Sequence, residues 1–522
     1  MPETAPGLRV TLVNAFAVPF DNAIATARTC YSSRIITPAE VSRDERAQAL
    51  RDSIAQSTYQ AGHHTTLQHA TFQFALSGVS RQCLWSFLHA HPHYNSEQVS
   101  QRYVAVRPER AYVPPDLSAS GRERYMQALR RQMQAYQDLV AALTPAAETA
   151  YFAVFPARRK KADAHAGAIK KRAQEVARYV LPIATHAHLY HTVSGLTLHR
   201  YHRLMGSWDV PTETQAVIGA MVDAVRAHDP LFFRDIEDPL PLEATPEHQA
   251  LQHLGGAGIN PDAARVVAEM DRHLAGAPSR LIASTPEADA VLALSVRLVL
   301  GTTSEAMPNE AALSWVLDPK NNALLGNALN LTAHSKLGRA LSSVHYTFLK
   351  RLSHAADSQD QRHRSTPGAR PLLHRHLVPG SPDVVVPGLI GHSAQAEDIW
   401  KQAMAQSWAD VEALVHDGAS VQDAMYLLPN AVAVRFVSSG DLAGWRHKWV
   451  SRLCYNAQEE IWLAALSEVR QVSQVHPGIG AHMMPPCGVR HAAGMRPVCP
   501  EGARFCGVPV WKLARGEYRR VL

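Results

Sequence analysis

The chain has 522 residues, is 46% hydrophobic and 19% charged, and carries a formal net charge of +6. Those values exclude a disordered or fibrous protein and exceed what one hydrophobic core normally organises. They also suit an anionic partner without choosing among a nucleotide, a phosphorylated cofactor and a nucleic acid.

In chain order, "LRVTLVNAF" (Leu8–Phe16) alternates apolar and polar residues and predicts a strand. "ERYMQALRRQMQAYQDLVAAL" (Glu123–Leu143) has apolar residues at three- and four-residue spacing and is predicted to end before Thr144-Pro145. "KKRAQEVARYVLP" repeats the pattern and closes at Pro182, and "PTETQAVIGAMVDAV" (Pro211–Val225) is a further amphipathic helix. The Pro- and acid-rich stretch "HDPLFFRDIEDPLPLEATPEH" breaks the pattern and is the best candidate linker. Beyond it, "VLALSVRLVLG" (Val291–Gly301) reads as a buried element. "IWKQAMAQSWADVEALVHDG" reads as a helix capped by Gly418. The Arg-, His-, Pro- and Gly-rich segment 351–388 is too irregular for one helix and must include a loop.

The two halves share an order of features. "EVARYVLPIATHAHLYHTVSG" in the first and "DAMYLLPNAVAVRFVSSG" in the second each run helix, Leu-Pro stop, apolar stretch, then serine and glycine. A helix with glutamine follows each, "ETQAVI" with Gln215 and "NAQEEI" with Gln458. An internal duplication is the expected reading: a first repeat at 1–240, a linker at 241–260, and a second repeat with a cysteine-containing tail at 261–522.

No run of about 18 apolar residues occurs, so no membrane span is predicted. The start "MPETAPGLRVTLV" lacks the basic and apolar regions of a secretory leader. Six cysteines in so long a chain do not read as a disulfide framework, and a reducing cytoplasm is the expected compartment.

Two stretches carry candidate chemistry. "QRHRSTPGAR" places Arg362 and Arg364 around His363, and arginine's planar donor fork suits phosphate. "NSEQVSQRY" gathers Glu97, Ser100 and Arg102, with no Gly-x-Ser-x-Gly elbow to activate the serine. Taken alone, each reads as a solvated basic loop and a capped turn. With "ARTCYSS", "GHHTTLQHATFQF", "GVSR", "ARYVLP", "QDQRHR" and "RLCYNAQEEI", they resemble the flavin-dependent thymidylate synthases, over most of both halves. That family's signature is Arg-His-Arg, seven residues, then Ser, continuing into Ser-x-Arg-Tyr.

The resemblance implies an α+β fold: two tandem copies of the family domain, each a small sheet with several long helices. It also implies loss shared between the copies. In the first half, "HAHPH" replaces the triplet, so that either His89-Ala90-His91 or Ala90-His91-Pro92 stands for it, and Met205 falls where the family has a late arginine. In the second half, Leu372 stands where serine is expected and Met425 where the first half has Arg178. The first half keeps Glu97, Ser100, Arg102 and Arg178, and the second keeps Gln359 and Arg452. The expectation is a composite site between unlike halves, with two chains forming a pseudo-tetramer.

Carried over by resemblance, Arg102, Arg178 and Arg452 neutralise the phosphate of dUMP, and Gln359, Glu97 and Ser100 complete the nucleotide set. Ser100, Arg178 and Arg452 are the candidate catalytic residues. Arg362, His363, Arg364 and His63 meet FAD. The implied reaction methylates dUMP to dTMP, with methylenetetrahydrofolate as carbon donor and NADPH as reductant. Gln68 departs from the family's glutamate, and Ser194-Gly195 and Ser439-Gly440 depart from its asparagine-containing flavin turn. Two alternatives stay open: a related pyrimidine C5 transfer such as hydroxymethylation, and a non-catalytic nucleotide-binding homologue. The tail's Cys487, Cys499 and Cys506, with His491, could hold zinc but lack Cys-x-x-Cys pairs; a buried thiol cluster is expected and no metal is assigned. The basic run Arg158–Arg172 lacks interleaved aromatics and is expected to be a solvated helix face, with no nucleic-acid partner.

Overall fold

The computed structural model describes residues 7–102, 110–207, 209–256 and 258–520. Helices and strands are mixed, and the strands form two four-stranded antiparallel sheets. The first contains β1 (Arg9–Ala15), β2 (Thr71–Ser80), β3 (Asn95–Gln98) and β4 (His186–Ser194) in the order β1-β2-β4-β3. The second contains β5 (Ser279–Ser284), β6 (His345–Ser353), β7 (Gly368–Ala369) and β8 (Ala433–Asp441) in the order β5-β6-β8-β7. In both, the central pair is the long one. β2 buries Phe72, Phe74 and Leu76 at every second position, and β6 buries Tyr346, Phe348 and Leu352.

The chain divides into two compact units. One gathers Met1–Arg131, Pro182–Gly258 and Ala409–Leu428; the other gathers Gln132–Leu181, Ile259–Trp408 and Pro429–Leu522. Each unit therefore holds the sheet of one half and a segment contributed by the other half.

Both sheets launch helices through the same local device. Ser80, last in β2, accepts from the Cys83 amide at 2.9 Å, and Ser353, last in β6, accepts from Ala356 at 3.0 Å. Ser194 and Asp441 cap the helices Gly195–Leu204 and Leu442–Arg452 in the same manner. The second unit's core is rich in tryptophan: Trp445 and Trp449 stack with centroids 5.5 Å apart, beside Tyr346, Phe348 and Trp462. Near them, the backbone of Ser365 lies against Gly440 and Gly444. A Cβ there would come within 2.7 Å and 2.9 Å of the Ser365 carbonyl oxygen, so only glycine lets this loop pack onto the sheet and helix.

Three sequence expectations change. The helix predicted to stop before Pro145 runs without a break from Ala119 to Val154. Leu139, Leu143, Ala147 and Tyr151 continue one buried stripe through the proline, and that burial outweighs the missing amide donor. The apolar run at Val291–Gly301 is a helix, Ala288–Leu300, buried on one side only. Leu292, Ala293 and Val296 face the core, while Leu294 and Leu298 are 52% and 74% exposed. The basic run is not one helical face. Its first part is 3-10 turns over Pro156–His165, with non-helical backbone at Lys161, followed by the helix Ala166–Ala177. Gly418 lies at φ +91° directly beyond the helix Ala394–His416, the left-handed position that glycine occupies most readily.

Candidate functional site

The second unit collects most of the sequence-derived candidates. The short helix His354–Asp360 ends at the Arg362-His363-Arg364 triplet, and the helix Leu442–Arg452 brings Arg452 onto it. Arg452 Nε donates to His363 Nε2 at 2.7 Å, and its Nη2 donates to the Gln359 carbonyl at 3.2 Å. Burial, then the positive charges of Arg452 and Lys448, hold His363 well below the ordinary histidine range. The imidazole is therefore neutral and can accept from Arg452, which keeps its charge. Arg362 and Arg364 are exposed.

A buried charge network underlies this surface. Lys448 Nζ lies 2.6 Å from Asp360, while Lys350 Nζ lies 3.4 Å from Asp360 and 2.9 Å from Glu468. Glu468 also accepts from Trp449 Nε1 at 2.8 Å and from Ser279 Oγ at 2.9 Å. Two lysines against two carboxylates make the group neutral overall, which is how buried charge is tolerated. Asp360 immediately precedes Gln361 and the triplet, so the network anchors the root of that loop.

Arg178, from the first half of the sequence, belongs to this same unit. It opens a single 3-10 turn, Arg178–Val180, after the helix Ala166–Ala177, where the Leu181-Pro182 pair ends the helix. Its Nε donates to the Glu175 carbonyl at 3.2 Å, and its own carbonyl accepts from Asn430 Nδ2 at 3.1 Å. The next residue is tied more strongly. Tyr179 Oη donates to Glu460 Oε2 at 2.7 Å and accepts from Gln458 Nε2 at 2.5 Å. Glu460 Oε2 also accepts from Ser353 Oγ at 2.6 Å, and its other oxygen accepts from the Ser353 amide. A cavity of about 160 Å³ adjoins this arrangement, lined by Arg172, Glu175, Tyr179, Gln458, Glu459 and Arg520 among others.

The first unit holds Glu97, Ser100, Arg102 and His63. Glu97 is exposed on β3, and Ser100 Oγ accepts from the Arg102 amide at 3.2 Å in a turn. Arg81 holds the strand's exit by donating to the Val99 carbonyl at 2.6 Å. Tyr103 and Val104 of the "SQRYV" motif lie outside the described residues. Where the first half lacks its triplet, His91 packs into an aromatic cluster. Its Nε2 is 2.7 Å from Tyr201 Oη, which is 3.2 Å from His191 Nε2. Burial pushes His91 down to about 4, so no cation stands at that position near neutral pH. His63 lines a separate groove in this unit.

Sequence reasoning missed the Tyr-Glu-Ser chains. The first unit has one too: Tyr426 Oη donates to Glu213 Oε2 at 2.5 Å, and Glu213 accepts from the Ser80 amide and hydroxyl at 2.6 Å each. Burial pushes Glu213 up to about 7 and raises Glu460 as well. A signal existed. Tyr179 and Tyr426 occupy the same place in "ARYVLP" and "AMYLLP", unchanged where the residue before them differs.

The tail's thiols gather differently from the expectation. Burial comes first, and then Cys454, Cys499 and Cys506, in pushing Cys487 up to about 12, so Cys454 joins the three tail thiols. All four are free and partly exposed, so the cluster is half-buried. Among the described residues, no group of three or more His, Cys, Asp or Glu is arranged to hold a metal ion. Among them too, no helix is long and apolar enough to cross a membrane.

Comparison with known proteins gives these residues a context. Residues 11–231 and 280–478 match the sequence profile described as "Thymidylate synthase complementing protein". A flavin-dependent thymidylate synthase of Geobacter sulfurreducens is 30% identical over 234 residues, which is 44% of this chain and 92% of that protein. Proteins of the same name from Mycobacterium sp. (strain JLS) and Mycobacterium tuberculosis (strain ATCC 25618 / H37Rv) are each 27% identical over 253 residues, 45% of this chain and 92% of theirs.

Proposed function

Because the chain belongs to the thymidylate synthase complementing protein family, the flavin-dependent thymidylate synthases, we propose that it methylates dUMP to dTMP in an FAD-dependent reaction. Methylenetetrahydrofolate is the carbon donor and NADPH the reductant in this reading. The observation that carries it is the convergence of Gln359, His363 and Arg452 at 2.7 Å and 3.2 Å, in the compact unit that also contains Arg178.

Arg452 and Arg178 come from different halves of the sequence. As two guanidinium groups they supply the charge that a nucleotide phosphate requires. The residues present suit FAD in the second half: Arg362 and Arg364 are exposed beside a histidine kept neutral and fixed by Arg452. These three, with His63, would hold the cofactor, which when bound supplies the hydride for the transfer. The corresponding position of the first half does not suit it, since His91 is half-buried, neutral and bonded to Tyr201. One functional site per chain follows, with two chains forming a pseudo-tetramer in the cytoplasm. The chain's part is positioning and charge, with no covalent nucleophile. Glu97, Ser100 and Arg102 complete the nucleotide set in this reading, and single substitutions of each test that role.

The decisive experiment incubates purified protein with FAD, dUMP, methylenetetrahydrofolate and NADPH and identifies the nucleotide product. dTMP with one FAD per chain is expected. A hydroxymethylated product would replace the reaction, and a colourless protein that forms no product would leave a non-catalytic homologue. Sedimentation reads the oligomeric state.

A further inference from the structure

The loop that carries Arg362, His363 and Arg364 is closed at its far end by a residue outside the triplet. Arg370 follows β7 and turns back onto the helix His354–Asp360, which the loop has just left. Its Nε donates to Asp357 Oδ2 at 3.2 Å and its Nη2 to Asp357 Oδ1 at 2.8 Å, between residues 13 apart in sequence. Nη1 donates to the Gly368 carbonyl at 3.1 Å, and the Phe436 ring covers the guanidinium, its centroid 4.0 Å from Cζ. The side chains of Arg370 and Asp357 are 9% and 0% exposed. Two parallel bonds between buried charges fix orientation as well as distance, which a lysine cannot reproduce. Every nitrogen of this guanidinium is engaged within the protein, so Arg370 acts on its surroundings through the loop.

Inside the loop so closed, the His363 amide bonds the Asp360 carbonyl and the Thr366 amide bonds the His363 carbonyl, each at 3.0 Å. Ser438 Oγ donates to the Thr366 carbonyl at 2.9 Å. The first unit shows another use of this place in the fold. Glu97 of β3 pairs with Tyr190 and Ala369 of β7 pairs with Val437, and Tyr190 and Val437 are equally distant from the helix caps Ser194 and Asp441. Ala369 therefore stands at the place of Glu97, and Arg370 at that of Gln98, which accepts from Arg81 at 3.1 Å. Where the first unit presents an exposed carboxylate, the second has a methyl group followed by a cation turned inward.

We infer that Arg370 is a positioning residue of the flavin site: its clamp on Asp357 holds the loop so that Arg362, His363 and Arg364 keep the arrangement that binds FAD. The ligand comes from the FAD-dependent reading above, on which this role rests, whereas the order of the loop can be read without any ligand.

Arg370→Met, Asp357→Asn and Arg370→Lys are compared in the full chain, with Val472→Ala, a truncation in the second unit's core, as the control for lost stability. FAD affinity is read by fluorescence titration, and hydrogen exchange of the His363 and Thr366 amides is followed without FAD. If release of the clamp leaves the loop in its binding arrangement about one-tenth of the time, the apparent Kd for FAD rises about tenfold and both amides lose protection. Arg370→Met and Asp357→Asn are expected to do this alike. Arg370→Lys keeps a cation beside Asp357, so it supplies the same two readings should Arg370→Met not fold, and it should show the same losses because an ammonium lacks the fork. Val472→Ala should lower the unfolding midpoint and change neither reading. An unchanged Kd or retained amide protection in Arg370→Met overturns the role, as does recovery of both by Arg370→Lys. Wild-type affinity in Asp357→Asn overturns it too, because Arg370 would then be the contact itself, and an equal rise of Kd in Val472→Ala would reduce the clamp to general stability. If the wild type takes up no FAD, the reading of function fails, and the clamp stands or falls on amide exchange alone.

Discussion

Replacing Tyr179 and Tyr426 separately by phenylalanine compares two matched chains that differ in one partner. Among the described residues, the Tyr426 hydroxyl makes one hydrogen bond, donated to Glu213 at 2.5 Å. Its loss removes a bond to a carboxyl group and should cost about 2 kcal/mol. Tyr179 donates to Glu460 at 2.7 Å and also accepts from Gln458 at 2.5 Å. Gln458 is 1% exposed, and among the described residues its side-chain Oε1 has no hydrogen-bond partner, so Tyr179→Phe strands the whole side-chain amide. A stranded buried donor adds about 2 kcal/mol, giving about 4 kcal/mol in all. Urea unfolding followed by tryptophan fluorescence reads the difference. The two variants should also separate functionally. Arg178 precedes Tyr179, so Tyr179→Phe should raise the KM for dUMP; Met425 precedes Tyr426, so Tyr426→Phe should leave it unchanged. Equal stability losses would refute the role given to Gln458, and an unmoved KM in Tyr179→Phe would refute the coupling to Arg178.

Other consequences are equally direct. Arg178→Met, which copies the residue of the second half, should lower kcat/KM for dUMP by about 10- to 100-fold with folding intact, the value of a charge-assisted phosphate contact; circular dichroism controls for the fold. Lys448→Met leaves Asp360 with only Lys350 at 3.4 Å, and breaking a buried pair in this way should cost about 3–5 kcal/mol by denaturant titration. Glu213 titrates near 7 in the folded protein against 4.5 ordinarily, so the folded state binds a proton that the unfolded state has released. Stability through this group is greatest below about pH 4.5 and falls by about 3 kcal/mol as the pH rises to 7. Glu213→Gln should remove that slope, measured as the difference in unfolding free energy between variant and wild type across the window.

Much of the architecture could be read from local pattern. The strand at Leu8–Phe16, the Leu-Pro stops at Pro182 and Pro429 and the Gly418 cap follow from periodicity and backbone chemistry, which act over a few residues. The contacts among Gln359, His363 and Arg452 fit a motif resemblance, although their spacing of nearly a hundred residues carries no local signal. What stayed hidden depends on which core a surface meets. The stripe Leu139–Tyr151 looks the same in sequence whether or not a proline interrupts it, and only burial decides that the helix continues. The apolar run at Val291–Leu300 gave no hint that Leu298 would face solvent. Nor did Glu213 and Glu460 stand out, because a carboxylate in an amphipathic helix reads as surface until its burial is known.

The exchange of segments between the two compact units has a consequence for how this protein is made. A nascent chain that has emerged through its first half holds the first sheet, yet still lacks residues 409–428, and with them Tyr426, the donor to Glu213. Translation must reach residue 426 before that carboxyl group meets its phenol. Cutting the gene at the centre would therefore yield two polypeptides that each carry a piece of the other's interior, and co-expression, not separate purification, is the way to recover them.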